Sequence, residues 1–127
     1  MTNKPAKNRT GQKARQNAQR YGIWTEHFAA FALRLKGYRI IARNYRVKSG
    51  EIDIIAKRRD LIAIVEVKAR KSLNQSVDAV GYQNQQRVRA AANWWLSTRK
   101  DAHLLSVRFD IVAVQPWKWP VHLENAF

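Results

Sequence analysis

The chain contains no cysteine. That absence removes disulfide staples and every thiolate metal site, so neither a secreted mini-protein nor a zinc finger fits. Long apolar runs are missing too. Runs such as Leu61 to Val65 fall far short of the ~20 residues that a membrane span requires. No apolar segment stands behind the basic N-terminus, which argues against a secretory signal, and a reducing cytoplasm is the expected compartment. No glycine-rich loop is available to cradle a nucleotide, and no serine or histidine neighbourhood suggests a nucleophilic triad. His27, His103 and His122 lack ligand-like spacing and read as surface or packing residues. Acids are scarce: 9 Asp and Glu stand against 24 Lys and Arg, a formal net charge of +15 over 127 residues.

That imbalance favours a polyanionic partner. Nucleic acid ranks before an anionic membrane, because no basic amphipathic helix with a broad apolar face is present. The length suits one domain with a real core. Residues 1–20 carry Lys4, Lys7, Arg9, Lys13, Arg15 and Arg20, no acid and almost nothing apolar. They read as a flexible basic arm, either solubilising or tracking phosphates. Residues 21–116 are the expected α/β domain, and 117–127 a C-terminal tail.

Within the domain, Trp24, Phe28, Phe31 and Leu35 recur at helical spacing up to Gly37, with Thr25 as a candidate cap. Strands are expected over Tyr38–Tyr45, Glu51–Ala56, Leu61–Lys68 and Val107–Val114. A second helix is expected from Val77 to about Thr98, with Val77, Val80, Val88, Ala91 and Trp95 on one face and Asn84 on the same stripe. Pro116 to Pro120 ends regular structure. The order of helix, three strands, helix and strand predicts a central mixed β-sheet flanked by helices. Trp95 belongs to the core and Trp94 does not. Trp117 and Trp119 either cover the end of the sheet or a dimer partner, or stack on unpaired bases.

The scarce acids concentrate where a sheet tolerates charge least. Gly50-Glu51-Ile52-Asp53-Ile54-Ile55 and Ile64-Val65-Glu66-Val67-Lys68 are otherwise apolar strands, and charges in such places are rare unless paired or bound to a metal. A turn centred on Arg59-Asp60 sets Asp53 opposite Glu66, and alternation puts Lys68 on the face of Glu66. Like charges across a ladder repel. A divalent cation between them reverses that sign. Carboxylate oxygens suit Mg²⁺ or Mn²⁺, which keep several waters and bridge to phosphate. Such an ion polarises a phosphoryl oxygen and lowers the pKa of an attacking water, and Lys68 stands ready to orient that water. Two acids, a cation and a lysine are the parts that phosphodiester hydrolysis requires. Arg46 and Arg70 are candidate phosphate contacts. Arg108 and Asp110 alternate with apolar neighbours and read as a structural salt bridge.

Asp53, then twelve residues, then Glu66-Val67-Lys68 matches the PD-(D/E)XK nuclease pattern, with Ile52-Asp53 in place of Pro-Asp. More closely, the chain resembles the YraN family of small bacterial proteins. Gly37-Tyr38, Arg43-Asn44-Tyr45-Arg46, Gly50-Glu51-Ile52-Asp53, Val65-Glu66-Val67-Lys68-Ala69-Arg70 and Arg108-Phe109-Asp110 carry the resemblance, over about residues 20–115. It implies a restriction-endonuclease-like core grouped with Holliday junction resolvases. It implies metal ligation by Asp53, Glu66 and the backbone carbonyl of Val67, with Lys68 positioning the water or stabilising the pentavalent phosphorus. Glu26, the only acid in the first fifty residues, matches the family's helical acid and would complete the site. A first-turn acid favoured by the helix dipole is the alternative account. Where the family usually has a lysine in the second helix this chain has Asn84, so a phosphate contact there is weakened or passes to Arg87.

The expected function is a Mg²⁺- or Mn²⁺-dependent endonuclease acting on DNA, branched DNA in particular. A homodimer would supply two sites for two strands. The alternative is a nucleic-acid-binding module that keeps the fold and does not cut. A basic protein bound to an acidic protein or ribosomal RNA is the third.

Overall fold

The computed structural model describes residues 22–69 and 81–127. A helix over residues 22–35 (α1) precedes β1 (Arg39–Val47), β2 (Gly50–Arg58) and β3 (Leu61–Ala69). Then come α2 (Tyr82–Ser97), a 3-10 turn at Ala102–Leu104, β4 (Ser106–Val114) and β5 (Val121–Leu123). One mixed sheet holds the strands in sequence order, and only the β3–β4 pair is parallel. A parallel pair needs a crossover, and α2 lies within it.

Strand alternation assigns the two faces. Ile62 and Ile64 of β3 pack with Ile55, Val88, Ala91 and Trp95 beneath α2. Ala63 and Val65 pack with Ile54, Val112 and Val114 against Ala29, Ala30 and Leu33 of α1. Successive side chains of a strand point to opposite faces, so the helices cover opposite sides of the sheet. Burial on both sides explains why β2 and β3 read as near-continuous apolar runs.

Two-residue turns set the registers. Lys48-Ser49 pairs Val47 with Gly50, and Arg59-Asp60 pairs Arg58 with Leu61. From the second turn, Ile55 faces Ile64 and Ile54 faces Val65, the register expected from the sequence. Gly50 serves a different purpose. A Cβ there would fall on the Arg87 carbonyl, 2.6 Å from its carbon. The missing side chain lets the α2 backbone rest directly on β2, which draws the first turn of α2 toward the end of the sheet.

The structure corrects the expected face of α1. Trp24, Phe31 and Leu35 are 55%, 50% and 65% exposed, while Thr25, Ala29, Ala30, Ala32 and Leu33 are buried. Alanine lets a helix approach a sheet closely, so the small-residue stripe wins over the aromatic one. Thr25 does not cap the helix. Its hydroxyl donates to the Gly22 carbonyl (2.9 Å), a local side-chain-to-backbone bond.

Regular structure also resumes after Pro120, so residues 117–127 are not a bare tail. Ile111, Val112 and Ala113 pair with Leu123, His122 and Val121. The Ala126 N–H then donates to the Phe109 carbonyl (2.8 Å), and Phe127 packs on Phe109 with centroids 5.5 Å apart. Three residues are too few to show alternation, and the contact that recruits them is polar. Trp95 is in the core and Trp94 is exposed, as expected. Val77, Val80, the polar loop 71–76 and the arm 1–20 lie outside the described residues. No helix among the described residues is long and apolar enough to cross a membrane.

Candidate active site

Strands β2 and β3 separate at Asp53. Their pairing runs from the turn to Ile54–Val65. Next, the Asp53 carboxylate accepts the Val67 N–H (2.8 Å) where a strand carbonyl would otherwise do so. The N–H and C=O of one strand residue face the same neighbour, so the Val67 carbonyl turns toward β2 as well. On β1, Asn44 falls between the pairs Arg43–Ile54 and Tyr45–Ile52 and takes a left-handed φ of 52°. Asparagine enters that region more readily than most residues. Its side chain hydrogen-bonds the Glu26 carboxylate of α1.

Glu66, only 5% exposed, points to the face covered by α2 and accepts a hydrogen bond from the Asn84 amide. The Lys68 Nζ lies 3.7 Å from Glu66 Oε2. The Asp53 and Glu66 carboxyls are close enough that each acts on the other's titration. The structure thus brings Glu26, Asp53, Glu66, Lys68 and Asn84 to one end of the sheet.

The electrostatics of this corner run one way. Burial first, and then the charge of Asp53, push Glu66 up to about 7, against the opposing pull of Lys68 and the Asn84 hydrogen bond. Burial also raises Asp53, despite the Val67 N–H and Lys68. Glu26 is raised by burial and by Asp53, with Arg43 and Arg46 opposing. One Glu26 oxygen, Oε1, is buried without a hydrogen-bond partner. Three raised carboxyls and an orphaned acceptor describe negative charge that the protein leaves undercompensated.

The other expected contacts are more dispersed. Arg46 is exposed, pairs with Glu51 (3.4 Å) and acts on Glu26 through its charge. Arg87 is exposed on α2. Arg70 lies outside the described residues. Sequence reasoning missed Arg43, which meets His27 at 2.7 Å and faces Glu26, and it missed Asn44. Counting back from the Lys48-Ser49 turn would have set Asn44 against Asp53, and asparagine within a strand is itself a signal.

A second buried acid lies one strand away. Asp110 accepts Arg108 Nε (2.8 Å) and Nη2 (2.7 Å), His122 Nε2 (2.7 Å) and the Asn125 N–H (2.9 Å). Arg108 also donates to the Tyr38 hydroxyl (2.7 Å). Burial alone would raise Asp110, but these donors hold it down to about 2. The expected salt bridge is the centre of a larger network.

Together these features define a class: an α/β domain with a five-stranded mixed sheet between two helices, carrying a carboxylate pair and a lysine at the end of its central strand. The chain belongs to the UPF0102 family. The profile of Uncharacterised protein family UPF0102 matches residues 25–114, a span that contains Glu26, Asp53, Glu66, Lys68, Asn84 and Asp110. A UPF0102 protein of Mesorhizobium japonicum is 56% identical over 114 residues, covering 90% of this chain and 91% of the relative. One from Agrobacterium fabrum is 58% identical over 113 residues, covering 89% and 93%. One from Sinorhizobium fredii is 57% identical over 117 residues, covering 92% and 94%.

Proposed function

We propose that the protein is a divalent-metal-dependent phosphodiesterase of the PD-(D/E)XK type, with a restriction-endonuclease-like core, that cleaves DNA and favours branched forms. The observation that carries this reading is the half-buried Asp53 set against the buried Glu66, beside Lys68. Two repelling carboxylates in a sheet are a liability for a purely structural element, and a cation removes it.

The donor set fits a hard ion. Among the described residues, no three His, Cys, Asp or Glu side chains form a ready ligand group. Mg²⁺ does not need one, since it commonly binds through one or two carboxylates and keeps several waters. Asp53, Glu66 and the Val67 carbonyl would hold it, and the bound ion would polarise a phosphoryl oxygen and acidify a water. Lys68 donates to a phosphate oxygen or to the attacking water and stabilises charge that grows during reaction. The orphaned Glu26 oxygen is left to accept a hydrogen bond from a water or a substrate group at the margin of the site. Asn84 fixes the orientation of Glu66, as outer hydrogen bonds do for ligands generally. Arg43 and Arg46 attract the phosphate backbone.

The second reading, a module that binds without cutting, draws on Asn84. Its amide is engaged with Glu66, so the first turn of α2 supplies no cation at that position. Linear, nicked and four-way-junction DNA incubated with Mg²⁺ or Mn²⁺ separates the two readings. Cutting that depends on Asp53 and Lys68 supports the enzyme, and cutting that survives Asp53→Asn and Lys68→Ala sinks this site. No cutting on any substrate, with salt-sensitive binding retained, supports the module.

A further inference from the structure

The aromatic stripe that α1 turns away from the sheet ends in a groove. Trp24, Phe28, Pro116, Trp117, Lys118 and Trp119 line about 690 Å³ of open space. Phe28 forms its floor, with Trp24 tilted against it at 5.2 Å and Trp119 edge-on at 5.3 Å. Trp117 stands fully exposed at the lip, on a left-handed backbone with φ 60°. A bulky residue rarely takes that conformation, so the loop holds an indole in water at an energetic cost. Clustered aromatic surface of this kind marks a binding site.

Its position relates it to the acids. Val67 pairs with Val112 and Ala69 with Val114 in the parallel ladder, and Gln115, the next residue, begins the groove. The groove therefore opens at the Lys68 end of the sheet, beside the strand parallel to β3 and on the side that α1 covers. Helix α1 serves both places, giving Glu26 to the acid corner and Trp24 and Phe28 to the groove.

Charge selects the occupant. A second copy of a chain with a net charge of +15 is repelled over most approaches. Among the described residues, the groove has Lys118 in its wall and no acid. A flat apolar group that carries negative charge matches both features. We infer that the groove stacks an unpaired base of a nucleic acid whose phosphate chain continues along the same end of the sheet. This rests on the reading of nucleic acid as the partner, but not on cleavage. It narrows the substrate class to single-stranded, frayed or branched forms, because a base inside a duplex is already stacked on its neighbours and out of reach. Stacking on indoles tolerates any sequence.

Binding of the full chain is followed by fluorescence anisotropy in EDTA, so that no cutting intervenes. The ligands are a labelled oligothymidine, an abasic oligomer of equal length and a blunt duplex. Trp117→Ala should weaken oligothymidine binding about tenfold, the effect of losing one stacked base, and change abasic and duplex binding less than about twofold. Trp117→Phe, which keeps a ring, should restore most of the loss. Thermal melting of both variants should match the parent, since Trp117 is fully exposed. Equal losses on all three ligands, or no loss on any, would overturn the stacking. A dimer converted to monomer in sedimentation, with binding unchanged, would assign the groove to a second copy. If base-dependent binding holds while DNA is never cut, only the cleavage reading fails.

Discussion

Asp110 on β4 and Glu66 on β3 occupy neighbouring strands of the same sheet, and both are almost wholly buried. Burial by itself raises the pKa of each. What differs is the supply of donors. Asp110 receives four hydrogen bonds, two of them from an arginine, and is held down to about 2. Glu66 receives one amide and a lysine at 3.7 Å, faces a second acid, and is pushed up to about 7. The first arrangement completes itself and ties β5 and the Tyr38 corner to the sheet. The second is short of positive charge, and that shortage makes the corner the candidate site.

The largest expected effect tests the functional half of this contrast. Asp53→Asn and Lys68→Ala should each lower metal-dependent cleavage by about 10²–10³-fold, the range for losing one preorganised electrostatic contact. Asp53→Asn should not lower the melting temperature, because it removes a repelling charge, whereas Lys68→Ala takes the salt-bridge partner from Glu66 and should lower it modestly. A large melting loss in Asp53→Asn would make the two acids equivalent and end the comparison. Asp110→Asn tests the other half. It strips Arg108 of its carboxylate and should cost about 3 kcal/mol in urea unfolding, or on the order of 10 °C in melting.

The pH dependence of the metal-free protein should show both halves at once. Glu66 is raised above its unfolded value, so its destabilisation is fully present above pH 7. As pH falls through 7 the native state takes up the proton, and stability should rise by about 3 kcal/mol before levelling near the unfolded pKa of 4.5. Asp110 is lowered, so its stabilisation is fully present above the unfolded pKa of 3.8 and is lost as pH falls toward 2. The curve should pass through a maximum near about pH 4, between these opposed windows. Asp110→Asn should flatten the acid limb, and Glu66→Gln the neutral one. Urea midpoints measured across pH check both limbs.

Legibility in the sequence follows the range of the forces involved. The β2–β3 register was readable because a two-residue turn leaves little freedom, and alternation then fixes which side chains share a face. Asp53, Glu66 and Lys68 came with it. The face of α1 was not readable. Trp24, Phe28, Phe31 and Leu35 make as regular a stripe as Ala29, Ala30 and Leu33, and only the closeness of the sheet decides between them. The three residues of β5 carry no pattern of their own, being held by His122 on Asp110. Asn84 was placed on the correct stripe of α2, but its bond to Glu66 depends on Gly50 admitting the helix backbone.

The smallest expected effect is the most discriminating. Glu66→Gln replaces a raised carboxyl with a neutral group of the same shape, so the repulsion from Asp53 disappears while the Asn84 contact keeps an acceptor. The metal-free variant at pH 8 should be about 1 kcal/mol more stable than the parent, since a buried charge with incomplete compensation has been removed. Saturating Mg²⁺ should then reverse the order. The parent gains stability by binding, about 2.7 kcal/mol at a hundredfold excess over Kd, and the variant gains little because a ligand is gone. Differential scanning fluorimetry with and without Mg²⁺ reads both effects. A variant less stable than the parent without metal would mean that Glu66 is as well satisfied as Asp110. An equal Mg²⁺ shift in both proteins would mean that the ion binds elsewhere. The predicted crossing, more stable without metal and less stable with it, is what a carboxylate kept for an ion should show and what one kept for a salt bridge should not.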